Sequence, residues 1–336
     1  MGVTAHATGD ASGVSLDAVA DLLVVQDGVV SRAQLLGAGL TKSRVDTLIR
    51  RRELVAVLPG AYVNHTGTPT WSQRAWAAVL YAGPAAALHL GSALHLAADH
   101  RGVARPDPVG PVHVAVDWTR RVQTRPGLRI HRVRGLAGMV RWNASPPRLR
   151  VELAALEVAH RARDDLAAIS ALADVVGARR TTAEKLRTAA AARTRLRRRS
   201  LLLALVEDLD AGTQSVLEHG FLTRVVRPHG LLEPSVRQAP RTGARGREYR
   251  DVEYDDLGLA VELDGVTHDT ATARADDADR DLDDLASGRV VGRLRYRQVF
   301  GTPCRTAAQL AAVFRGRGWE GTASACGPAC DLADPT

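Results

Sequence analysis

The spacing of apolar residues changes character several times along the chain, and each change marks an expected element. Residues 1–15 show no periodicity and read as a flexible tail. From Leu16 to Asp27 the apolar positions recur at helical intervals. Ser31 can cap a second helix over SRAQLLGAG, because its hydroxyl accepts from a free N–H of the first turn; Gly37 and Gly39 stop it. Thr41 can cap a third, TKSRVDTLIRRRE, with Val45, Leu48 and Ile49 on one face. In LVAVLPGAYV two short apolar runs flank Pro59-Gly60, which is a hairpin signal.

Helix, helix–turn–helix and β-wing over residues 16–66 make the plan of a winged helix. In helix–turn–helix domains the second helix of the motif enters the major groove. Lys42, Ser43, Arg44 and Thr47 then face base edges, and Arg50, Arg51 and Arg52 reach phosphates. The alternative is a unit that docks onto protein, with the arginine run as its solvated face.

Residues 67–211 form a mixed α/β middle region. Helices are expected over Trp71–Ala82 and Ala85–Ala98, and strands over Val112–Val116 and Leu128–Val133, before long Ala/Leu/Arg helices. The uncharged stretch from Ala78 to Ala98 is long enough to suggest a membrane span. Gly83-Pro84 interrupts it and His89, Ser92 and His95 dilute it, so two buried helices and no membrane are expected. A helix around Thr181–Leu205 carries Arg193, Arg195, Arg197, Arg198 and Arg199, which either track a phosphate backbone or form a solvated face.

Over residues 212–320 the pattern changes again. SVLEHGFLTRVVRPHGL reads as an amphipathic helix bearing Glu218. REYRDVEYDDLGLAVELDGVTHD alternates on either side of a turn, as an antiparallel hairpin does. A two-residue loop at Asp256-Leu257 sets Tyr254 opposite Leu259 and Val252 opposite Val261, an apolar face. On the other face Asp251 stands opposite Glu262, with Glu253 and Asp264 beside them. Like charges directly opposed in a sheet are destabilising. A divalent cation relieves the repulsion, and carboxylates are the hard ligands that Mg²⁺ or Mn²⁺ takes. Such an ion activates water and stabilises charge on phosphorus oxygens, as phosphodiester cleavage requires. The plainer reading is an acidic face that keeps the protein in solution.

Composition sharpens this only in part. The chain has 336 residues, more than one core usually serves, and a formal charge of +8 that comes almost wholly from arginine. Guanidinium suits phosphate, although high-GC coding writes arginine by default. The three cysteines, Cys304, Cys326 and Cys330, are no disulfide framework and fit a reducing cytoplasm. The first thirty residues lack the pattern of a signal peptide.

The run E218 … Y249-R-D251 … L-A-V-E262-L-D264-G265-x-x-H268 … R280-D281 … L294-R-Y … V299 resembles the small nuclease domains allied to very-short-patch-repair endonucleases, in the PD-(D/E)XK restriction-endonuclease-like superfamily. The resemblance implies a helix-flanked mixed sheet, Mg²⁺ dependence and a DNA substrate. It implies Asp251 and Glu262 as metal ligands and Glu218 as a helix-borne acid near the metal. Where the superfamily generally has Lys two residues after the Glu, this chain has Asp264, which leaves the general base open. His268 is one candidate, since imidazole titrates near neutral pH; a structural cap is the other reading. Arg280 can contact phosphate or pair with an acid of the site.

The N-terminal order V30-S-R-A-Q34-L … L48-I-R-R-R-E-L … P59-G-A-Y62-V resembles the winged helix of AbiEi-type antitoxins, which implies DNA binding and leaves open a dimer or a toxin-like protein partner. Residues 321–336 read as a second flexible tail. Cys326 and Cys330 with Cys304 could make a three-thiolate site, but no paired spacing or His ligand supports one. The expectation is therefore an α/β protein: winged helix, mixed middle region and restriction-endonuclease-like domain. It binds DNA and cleaves it with Mg²⁺ or Mn²⁺, or serves as a non-catalytic repressor on a degenerate nuclease fold.

Overall fold

A computed structural model describes residues 16–97, 110–211, 215–243, 246–264, 286 and 289–332. The fold is mixed α/β, and its contacts divide it into two units, Met1–Ala154 and Ala155–Thr336. That division falls within the stretch 67–211 that the sequence presents as a single middle region.

In the first unit, a 3₁₀ turn over Leu16–Val19 leads into α1 (Ala20–Val25). Strand β1 (Val29–Ser31), α2 (Arg32–Gly37), α3 (Lys42–Arg50), β2 (Val55–Leu58) and β3 (Ala61–Val63) follow. The strands form a sheet of order β1-β3-β2. Local sequence fixes both helix starts. Ser31 Oγ accepts from Gln34 N at 3.1 Å while Ser31 N donates to Gln34 Oε1 at 2.9 Å, and Thr41 Oγ1 accepts from Arg44 N at 3.2 Å. Val45 and Leu48 turn inward onto Leu23, Val30 and Leu35, with Ile49 at the margin.

The chain continues through α4 (Trp71–Ala82), β4 (Ala87–Leu88), α5 (Leu90–Ala97), β5 (Val112–Asp117), β6 (Leu128–Val133), β7 (Val140–Arg141) and β8 (Arg148–Leu149). These strands make a mixed sheet of order β6-β5-β4-β8-β7, with β5 and β6 parallel. The helix expected over Ala85–Ala98 therefore begins later. Ala87 and Leu88 pair with Ala115 and Val114 instead, and Ala85 takes a left-handed φ of 56°. An Ala/Leu run fits either state, and a place between two strands in a core decides it.

The second unit opens with helices α6 (Val151–Arg161, which crosses the division), α7 (Asp165–Gly177), α8 (Ala183–Ala191) and α9 (Arg199–Ala211). The helix expected around Thr181–Leu205 is thus broken; Arg193, Arg198 and Arg199 bond inward, while Arg195 and Arg197 are exposed. Arg193 Nη1 donates to Glu157 Oε1 at 2.7 Å, and Arg198 Nε to Asp165 Oδ1 at 2.6 Å. Arg198 also donates to the carbonyls of Ala162 and Arg163 at 3.1 and 3.2 Å, and Arg199 to those of Ala190 and Arg193 at 3.1 and 2.8 Å.

Next, α10 (Ser215–Gly220) continues as a π-helical turn over Phe221–Val226 and a 3₁₀ turn over Arg227–His229, ending at Gly230 with φ 61°. Then come β9 (Val236–Gly243), β10 (Gly246–Tyr254), β11 (Leu259–Asp264), β12 (Val290–Arg295) and α11 (Pro303–Gly316). The sheet order is β12-β11-β10-β9, antiparallel except for the parallel pair β11–β12. Phe221, Val225, Tyr254, Val261, Leu263 and Phe314 form the core. Among the described residues no helix is long and apolar enough to cross a membrane.

Candidate functional site

The hairpin has the register that its alternation dictates. Val252 pairs with Val261, Glu253 with Ala260 and Tyr254 with Leu259, so the buried Val252, Tyr254, Leu259 and Val261 share a face. Carried one residue further, the same register sets position 251 across from Glu262. The turn itself is longer than the two residues expected. Asp255–Leu257 form a 3₁₀ turn that Gly258 closes at φ 53°, its N–H donating to Asp255 O at 3.0 Å. The left-handed step lets four residues hold the register of a tighter loop.

The opposite face holds cations that the sequence did not announce. Glu262 lies beside Arg293 in the parallel pair, and Arg293 Nε donates to Glu262 Oε2 at 3.0 Å. Glu253, only 8% exposed, accepts from Arg289 Nη1 at 3.1 Å. Repulsion between acids of this face is therefore relieved in part by guanidinium groups, which corrects the premise that a metal must do it. Asp264 ends β11 at the position paired with Arg295, and Glu218 is half-buried on α10. His268 and Arg280 lie outside the described residues.

On and just after α3, Lys42, Ser43, Arg50, Arg51 and Arg52 are exposed, while Arg44 and Thr47 are half-buried. Thr47 Oγ1 donates to Ser43 O at 2.9 Å, and Arg32 Nη1 pairs with Asp46 Oδ1 at 2.9 Å. The exposed donors of α3 therefore face solvent, and the acid in their midst already has a partner.

A second cluster lies elsewhere in the second unit. The ligand atoms of His229, Cys304, Cys326 and Cys330 all fall within 4.8 Å of one another, and Cys304 Sγ is 3.6 Å from Cys326 Sγ. His229 is fully buried, and its Nδ1 is 2.8 Å from Val225 O. A carbonyl only accepts, so Nδ1 carries the proton and Nε2 a lone pair; Nε2 is buried without a hydrogen-bond partner. Burial raises the Cys330 thiol pKa, but hydrogen bonds from the Leu332 and Cys326 backbone and the neighbouring thiols outweigh it and bring it down to about 6. The sequence showed only the three cysteines; the fourth member was hidden because His229 comes far earlier in the chain. The segment expected as a flexible tail is held here: Ser324 N donates to His229 O at 2.9 Å, and Ala323 and Leu332 pack against the core.

No family model matches the chain, and no curated protein does. Among solved structures it is similar to the RV2827C protein from Mycobacterium tuberculosis, with 16% identity and a TM-score of 0.38 over 59% of this chain and 81% of that one. A likeness that loose carries no functional argument.

Proposed function

We propose that the C-terminal unit is a metal-dependent phosphodiester hydrolase acting on DNA, centred on Asp251 and Glu262, and that the winged helix supplies affinity for the duplex. The observation that supports it best is the β10–β11 register, whose Val252–Val261 pair, extended by one residue, would set these two acids across from each other. Carboxylate donors fit Mg²⁺ or Mn²⁺, and the Arg293 contact to Glu262 is partly exposed on both sides (33% and 27%), so an ion can displace it. Asp251 and Glu262 would hold the ion, which when bound supplies a polarised water and positive charge for the phosphate oxygens. Arg293, beside Glu262, would be a further donor to a phosphate oxygen, and its planar fork suits that task. Glu218 contributes a further acid from α10, while the proton acceptor is left to His268 or another group.

The test is purified protein with supercoiled plasmid, with and without Mg²⁺ or Mn²⁺. Nicking that needs metal and is lost in Asp251→Asn and Glu262→Gln, with DNA binding retained, supports the reading. Binding that is equal in EDTA, without turnover at any metal concentration, overturns it. One observation favours a second reading, a non-catalytic repressor of the antitoxin type: Glu262 and Glu253 already have arginine partners, so the face is tolerable without an ion. Shift of its own promoter fragment in EDTA, without cleavage, is the signature of that reading.

A further inference from the structure

We propose that His229, Cys304, Cys326 and Cys330 form a closed, structural Zn²⁺ site that fastens the C-terminal segment to the sheet-bearing unit. The inference stands apart from the hydrolase reading, because none of these residues belongs to the acidic face.

The donor set is the first argument. Three thiolates and one imidazole are the soft-to-borderline ligands that select zinc over the hard cations, and Cys₃His is a known structural combination. Geometry is the second. Sulfurs bound tetrahedrally at about 2.3 Å from zinc stand about 3.8 Å apart. The 3.6 Å between Cys304 and Cys326 matches that edge, and all four donors lie within 4.8 Å.

The third argument is the imidazole, which is independent of the thiols. His229 has no exposure, donates through Nδ1 to Val225 O, and leaves Nε2 buried and unpartnered. An unsatisfied buried acceptor is costly, and a metal-bound histidine almost always donates its other nitrogen to a carbonyl or carboxylate in this way. A Cys304–Cys326 disulfide would leave both this nitrogen and the Cys330 thiol without a role.

The ligands also come from places that need joining. His229 ends the helical run from α10, Cys304 sits in the first turn of α11, and Cys326 and Cys330 lie in a segment without helix or strand. All four positions are filled by protein, so no site is open to substrate and the role is structural. Binding displaces to solvent the protons that the thiols still carry, giving three thiolates around one dication with neutral His229. The residual negative charge lies at the amino end of α11, where the helix dipole favours it.

The test uses the full chain, expressed with zinc and purified without chelator. Expected is one zinc per chain by elemental analysis, released by a thiol-directed mercurial. Cobalt exchange should give the sulfur-to-metal charge-transfer band and intense visible bands of a tetrahedral thiolate site. Cys326→Ser and Cys330→Ser should lose the zinc, whereas Asp251→Asn and Glu262→Gln should keep it. A folded wild-type chain that carries far less than one zinc and takes up no cobalt overturns the proposal. So does a Cys304–Cys326 disulfide found by mass spectrometry in protein purified under reductant. The cobalt spectrum of the wild type decides the matter even if the serine variants fail to fold.

Discussion

Glu262 and Arg293 stand side by side on parallel strands and share a hydrogen bond of 3.0 Å between Oε2 and Nε. Any cation at Glu262 competes with that guanidinium. Arg293→Ala removes the competitor, so half-maximal nicking should need several-fold less Mg²⁺ than the wild type. The maximal rate should fall, because a donor to phosphate goes with it. A metal titration of plasmid nicking separates the two effects, and an unchanged midpoint would count against Arg293 as competitor.

The exposed arginines at the end of α3 should act through phosphates rather than bases. Each of Arg50→Ala, Arg51→Ala and Arg52→Ala should weaken duplex binding about equally across sequences. Each should also lower the slope of log affinity against log salt by about 1, the share of one neutralised phosphate. Lys42 and Arg44, nearer the helix start, should instead alter sequence preference. Fluorescence anisotropy at several salt concentrations reads both.

Arg198 should matter for folding and not for DNA. Its guanidinium holds Asp165 and two carbonyls, and its side chain is only 15% exposed. Arg198→Ala should destabilise the second unit by about 2–4 kcal/mol, since it leaves part-buried acceptors short of a partner. Urea denaturation measures this, with DNA affinity under native conditions unchanged.

Gly258 is required by its turn. Its φ is 53°, and a Cβ there would come within 2.9 Å of Arg317 Nη2, whose guanidinium also bonds Leu257 O through Nε. Gly258→Ala should cost about 1–3 kcal/mol from left-handed strain and the displaced arginine. Gly258→Asn should cost less, because Asn tolerates that region. Urea midpoints of the two variants give the comparison.

Chelation should expose how far the C-terminal segment depends on metal. Removing zinc from His229 and the three thiols should lower the melting temperature of the second unit by on the order of 10 °C, because the binding free energy of a structural site is folding free energy. Differential scanning fluorimetry with a strong chelator, and again after zinc is restored, is the measurement; a curve that does not move would argue against a staple.

What the sequence determined by itself is local. Ser31 and Thr41 announced their helices because a cap acts within three residues, and Val45 and Leu48 announced the buried face by spacing alone. The β10–β11 register was legible for the same reason: a short turn and strict alternation leave one pairing that buries Val252, Tyr254, Leu259 and Val261 together. Tertiary structure decided what meets what across longer separations. The partner of Glu262 is an arginine from a strand added in parallel, Arg193 and Arg198 turn onto Glu157 and Asp165, and His229 closes on cysteines far down the chain. Such meetings follow from how layers pack and not from any period in the residues. Charge and thiol runs therefore suggested possible partners, and only the folded arrangement of backbone chose among them.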